Sequence, residues 1–140
     1  MNIEVNYLAV VVAAVVSMAL GFLWYSPVLF GKLWMKLSGF TAESLKKAQK
    51  EMGKLYAVSF VVSMVTAYVL SHVMALSENF YQYSKLSTGL TTAFWLWLGF
   101  MMPVQLMGEI FGEKKWKLFG INTGYQLVSL ILMAIVLAVM

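Results

Sequence analysis

Gln105 and Glu109 stand four residues apart in an apolar stretch, and so do Asn122 and Gln126 in the next one. A spacing of four puts both members of a pair on one helix face. A carboxylate among three amides, with the Tyr125 phenol beside them, is the chemistry of a polar cavity for a small molecule, an ion or a headgroup. The same groups also read as glue between helices, at roughly 0.6 kcal/mol per hydrogen bond in a membrane bundle. Glu109 has a third option, an ion pair with Lys114 or Lys115.

Other chemistries find little support. The chain has no cysteine, which removes disulfides, thiolate nucleophiles and sulfur ligands. His72 is its one histidine, and a metal site normally needs several N, O or S ligands. Ser71 adjoins His72, but neighbouring helical positions point about 100° apart. No phosphate loop, dinucleotide fingerprint or pair of intramembrane acids is present. No catalytic residue, cofactor or metal is therefore expected.

Positioning such a cluster needs helices. Four apolar runs cover residues 5–25, 55–76, 88–110 and 118–140. Each is close to the roughly 20 residues that cross a bilayer core, and helices satisfy their own backbone in lipid. Apolar residues make up 61% of the 140 and charged ones 11%, against about 25% charged in a soluble domain. The expected fold is all-α: one integral membrane domain, 1–140, built as a four-helix transmembrane bundle. If span three runs one way and span four returns, Gln105, Glu109, Asn122 and Gln126 come to one level. Tyr56, Ser59, Ser63 and Thr66 of span two add a stripe, and Trp24, Tyr25 and Ser26 of span one reach the same level.

The charges orient this bundle. All ten basic residues are lysines. Lys32, Lys36, Lys46, Lys47, Lys50 and Lys54 lie in the connection 27–54, and Lys114, Lys115 and Lys117 lie between spans three and four. Lysine-rich short loops stay inside, so the expectation is an inner-membrane, multi-pass protein with both termini outside. The +4 net charge flanks apolar spans, which points to anionic lipid headgroups and away from nucleic acid. The start, Met1-Asn2-Ile3-Glu4, lacks the basic region of a cleavable signal peptide.

The first connection has structure of its own. Pro27 ends or kinks span one. Leu29, Phe30, Leu33, Trp34 and Leu37 then fall on one face and Lys32 and Lys36 on the other, an amphipathic segment suited to the inner surface. Ser38-Gly39 closes it. Thr41 is placed as an N-cap, with Phe40 and Leu45 spaced as a hydrophobic staple. One helix is expected from Ala42 to Leu76.

Ala9, Ala13, Ser17 and Gly21 recur every fourth residue, and Gly120 and Gly124 repeat the pattern. Such faces let helices approach closely, either within one bundle or along a seam between copies in a homo-oligomer. An internal echo links Gly21-Phe22, Pro27-Val28 and Gly31 to Gly99-Phe100, Pro103-Val104 and Gly108, at unequal offsets.

The run Gly21-Phe22-Leu23-Trp24-Tyr25-Ser26-Pro27-Val28-Leu29-Phe30-Gly31-Lys32-Leu33-Trp34 resembles the signature of a bacterial membrane family, domain of unknown function 1761. Trp97-Leu98-Gly99-Phe100 and Ile121-Asn122-Thr123-Gly124-Tyr125 are similar to it as well. The resemblance implies a small four-span membrane protein and brings no reaction, cofactor or site. Three functions stay open. The first is a non-enzymatic binding or transport-related module. The second is an accessory subunit whose lysine-rich helix docks a partner or anionic lipid. The third is a membrane enzyme acting on a lipid or small apolar metabolite, with a ligand beside Glu109, Tyr125 or His72.

Overall fold

The computed structural model describes residues 3–140, so Met1 and Asn2 of the expected acidic start lie outside the described residues. The described chain is all-α. Helix α1 covers Tyr7–Trp24, α2 Gly31–Ser38, α3 Ala42–Tyr81, α4 Lys85–Leu96, α5 Met102–Ile110 and α6 Trp116–Val139. A π-helical turn, Trp97–Met101, joins α4 to α5. Four helical segments are long and apolar enough to cross a membrane: α1, α3, the run Lys85–Ile110 and α6.

Local chemistry sets the boundaries. The Asn6 side chain accepts a hydrogen bond from the Ala9 amide at 3.1 Å and starts α1. Gly39 closes α2 at φ 72°, a left-handed conformation that glycine adopts without steric cost. Thr41 then caps α3 as the sequence indicates, accepting from the Ser44 amide at 3.2 Å while Ser44 Oγ accepts from the Thr41 amide at 2.8 Å. This reciprocal box satisfies two amides that a helix start leaves unpaired. With no proline in its path, α3 runs for 40 residues and passes Leu76 to end at Tyr81.

The two Gly-Phe/Pro-Val segments fold differently, so their echo is not a structural repeat. Pro27 lies in a turn after α1, whereas Pro103 lies within a continuing helical run. The π turn accommodates Pro103, which lacks an N–H: the Met102 amide reaches back five residues to the Trp97 carbonyl.

Packing closes the helices into a ring. Helix α1 packs on α3 and α6, and α4 packs on α6 and α3. Val10, Ala13, Ala67, Leu70, Met74, Ala93, Leu130, Met133 and Ala134 form the core. The α3 members all come from its C-terminal half. Residues 51–59 of α3 are exposed throughout, so α3 splays from the bundle at the lysine-rich end. At the opposite end the Asn6 amide group donates to the Met140 carbonyl oxygen at 3.2 Å, tying the start of α1 to the end of α6.

The small-residue face of α1 packs inside this ring. Ala9 and Ala13 are 0% exposed and Ser17 is 3% exposed. Gly21 lies under Tyr125: a Cβ there would stand 3.1 Å from the phenolic oxygen. A Cβ at Gly124 would make ordinary contact with the Trp24 ring at 3.4 Å, while Gly120 faces open space. A second close approach lies at Gly89 of α4, where a Cβ would stand 3.2 Å from the Ala134 carbonyl oxygen.

Candidate functional site

The turn after α1 builds one wall of the site. Ser26 Oγ donates to the Leu23 carbonyl at 2.7 Å. The Ser26 carbonyl accepts from the Leu29 and Gly31 amides, and the Phe30 amide donates back to the Trp24 carbonyl at 3.0 Å. Gly31 fits because it has no side chain: a Cβ would stand 2.3 Å from the Tyr25 carbonyl oxygen. This compact turn aims two aromatic side chains at α6. Trp24 Nε1 donates to the Ile121 carbonyl at 3.0 Å, and the Tyr25 hydroxyl donates to Asn122 Oδ1 at 2.8 Å. Tyr25 also packs edge-on against Trp34 of α2 and Tyr125 of α6.

Above that wall a hydroxyl network crosses from α1 to α6. The Tyr125 hydroxyl donates to the Ser17 carbonyl at 3.1 Å. Ser17 Oγ and Ser129 Oγ share a hydrogen bond of 2.6 Å. Each buried hydroxyl thereby gains a partner, as burial away from water requires.

The splay of α3 opens space beside this network. One cavity of 250 Å³ is lined by Ser17, Tyr125, Gln126 and Ser129 on one side and by Ser59, Ser63 and Thr66 of α3 on the other, with Met101 of the π turn beside them. A second cavity of 610 Å³ lies toward α2. Tyr25, Trp34, Tyr56 and Phe22 line it, with Met18, Met35 and Met52. Both cavities share Ser59 and Tyr125, so they form one cleft with a hydroxyl and amide interior and an aromatic, methionine-rich mouth. Among the described residues no charged side chain lines either part.

The five residues singled out in sequence do not form one cluster. Asn122, Tyr125 and Gln126 belong to the cleft wall. Glu109 turns the other way and accepts the Lys115 backbone amide on Oε2 at 2.9 Å, closing the α5–α6 connection. Lys115 Nζ instead pairs with Glu113 at 2.6 Å and holds that exposed carboxyl below the usual carboxylate range, by hydrogen bond first and charge second. Gln105 Oε1 is buried and has no hydrogen-bond partner among the described residues. His72 bonds through Nδ1 to the Tyr68 carbonyl at 3.1 Å, an ordinary helix-surface contact.

The sequence sets Tyr25 and Tyr56 at the level of the polar groups, but it does not reveal that Phe22, Trp34 and three methionines join them in an aromatic mouth. Sequence reasoning also missed Trp97, whose Nε1 donates to the carbonyl oxygen and to Oγ1 of Thr123 at 2.9 and 3.1 Å. Among the described residues no group of three or more His, Cys, Asp or Glu side chains is placed to hold a metal ion.

No curated protein and no solved structure matches the chain. The Trp24–Gly31 turn, the Asn122–Tyr125 wall and nearly all of the four apolar helices lie within residues 8–138, the segment matched by the family described as protein of unknown function (DUF1761), and the chain belongs to that family.

Proposed function

We propose that this protein is an integral membrane module that binds a neutral, flat amphiphile in the cleft between α1, α3 and α6. The observation that carries the reading is the division of one charge-free cleft into two chemistries. Hydroxyls and an amide inside offer hydrogen bonds to one or two polar groups, and aromatic rings and methionines at the mouth accept an apolar body. Methionine adapts to irregular apolar shapes. A charged ligand would lose its hydration with no counter-charge in return. The hydroxyls and amide that line it support binding of such a ligand.

The lysine distribution supports placing the splayed end on the cytoplasmic side. Both lysine-rich connections lie at that end of the bundle. Helix α2, with Lys32 and Lys36 exposed, suits the surface of the membrane there, beside anionic headgroups. The small-residue face of α1 is consumed inside the bundle, so self-association would use a different surface.

A bromonaphthol, a flat ring with one hydroxyl and a quenching atom, tests the reading. Titrated into the protein in lipid nanodiscs, it should quench Trp34 emission saturably. Gln126→Leu should weaken that quenching about tenfold without loss of helicity, the worth of roughly one hydrogen bond. Quenching that rises linearly, or is unchanged in Gln126→Leu and Ser63→Ala alike, rejects the cleft as a binding site.

A further inference from the structure

A second groove lies between α3 and α4, at the end of the bundle remote from the cleft. Its volume is 490 Å³, within the roughly 300–1,000 Å³ typical of small-molecule sites. Ser77 and Tyr81 line it from α3, Tyr83 from the connection, and Thr88, Thr91 and Trp95 from α4.

Thr88 is the telling residue. It is 2% exposed, and its Oγ1 has no hydrogen-bond partner among the described residues. A buried hydroxyl left unpaired is costly, so a partner supplied by an occupant is favoured. Thr91 Oγ1 donates to the Ser87 and Thr88 carbonyls, which leaves its oxygen free to accept. The rings around these hydroxyls are presented outward: Trp95 is 64% exposed and Tyr81 57%. Tyr81 and Tyr83 stack at 5.7 Å with 12° between planes, giving a flat aromatic surface.

We propose that this groove binds a neutral glycosyl ring. A sugar ring has an apolar C–H face to lay on tyrosine or tryptophan, which removes apolar area from water. Its hydroxyls can both donate and accept, as Thr88 and Thr91 require. A hydrocarbon tail would leave the hydroxyls of Ser77, Thr88 and Thr92 facing groups that cannot pair with them. An ionic ligand would find no opposite charge in the lining. The ring belongs either to a free sugar or to the headgroup of a glycolipid reaching the end of the bundle.

The experiment uses the full chain in nanodiscs of phosphatidylethanolamine and phosphatidylglycerol, with tryptophan emission as the readout. One arm titrates maltose, and the other adds diglucosyl diacylglycerol to the nanodisc. A saturable change with maltose assigns a free-sugar site, and a change only with the glycolipid assigns a headgroup site. The signal should disappear in Trp95→Phe. Affinity should fall about tenfold in Thr88→Val, which keeps the shape and removes the hydroxyl. Thermal stability reports the fold of both variants. No change with either probe overturns the proposal, as does undiminished affinity in a folded Thr88→Val.

Discussion

The Tyr25 hydroxyl donates to Asn122 Oδ1 at 2.8 Å, across 97 positions of sequence. This bond locks the turn after α1 to the start of α6, and with it the aromatic wall of the cleft. Removing one partner leaves the other polar group unpaired in a part-buried site. Tyr25→Phe and Asn122→Leu should each cost about 1 kcal/mol, and the double variant should cost less than their sum. Unfolding of the four proteins in mixed micelles checks this; strictly additive losses would dismiss the bond as a contributor.

Gly31 should be the least replaceable glycine in the chain. An added Cβ would press on the Tyr25 and Ser26 backbone at 2.3–2.7 Å, and backbone cannot swing aside as a side-chain tip does. Gly31→Ala should destabilise by more than about 2 kcal/mol, in the range of severe local strain. Gly120→Ala, which adds its Cβ to open space, should be neutral or slightly stabilising. Comparable melting temperatures for the two variants would contradict this turn geometry.

Gly21 and Tyr125 should be coupled. The Cβ of Gly21→Ala would stand 3.1 Å from the Tyr125 hydroxyl, which must then shift by a few tenths of an ångström. Gly21→Ala alone should be mildly destabilising, and Tyr125→Phe should relieve part of that loss by removing the crowded oxygen. Gly21→Leu should be far worse in either background. A Tyr125→Phe change that deepens the Gly21→Ala defect would place the ring elsewhere.

The parts of this fold that are legible in sequence are those with a local cause. Apolar length marks four spans, Thr41 and Ser44 mark the start of α3, and Gly39 marks the end of α2. The face each helix presents is a different matter. Gln105 and Glu109 share a face with each other, but spacing does not fix that face against α6. The π turn at Trp97–Met101 lies just before them. One extra residue in a turn rotates everything after it by about 100°. No side-chain hydrogen bond joins Gln105 or Glu109 to Asn122, Tyr125 or Gln126 among the described residues. The sequence sets Tyr25 and Tyr125 at one level, but their meeting with Trp34 is hidden in it, because the three come from a turn, a span and a surface helix that the Gly31 contact brings together.

Glu109 should behave as a capping residue. Its Oε2 accepts the Lys115 amide, a role a glutamine oxygen can also fill. Glu109→Gln should cost little, whereas Glu109→Leu should cost about 1 kcal/mol by leaving that amide without its partner. Neither variant should alter binding of the bromonaphthol probe, since Glu109 lines neither part of the cleft. A large loss of probe binding in Glu109→Gln, with folding intact, would move the site toward α5.

The two ends of the antiparallel ring can be told apart by labelling. The connection before α3 and the Phe111–Lys115 connection lie at one end, and Asn79 near the end of α3 lies at the other. The chain has no native cysteine, so single cysteines report position without background. Ser44 and Lys115 are partly exposed and Asn79 is exposed, which suits all three to labelling. If lysine retention sets the orientation, a membrane-impermeant maleimide on intact cells should label Asn79→Cys and spare Ser44→Cys and Lys115→Cys. All three should react after the membrane is permeabilised, which confirms that the spared sites are accessible. Labelling of Ser44→Cys and Lys115→Cys with protection of Asn79→Cys would invert the protein, moving the mouth of the cleft to the outer face. Labelling of Ser44→Cys without Lys115→Cys would break the antiparallel ring itself.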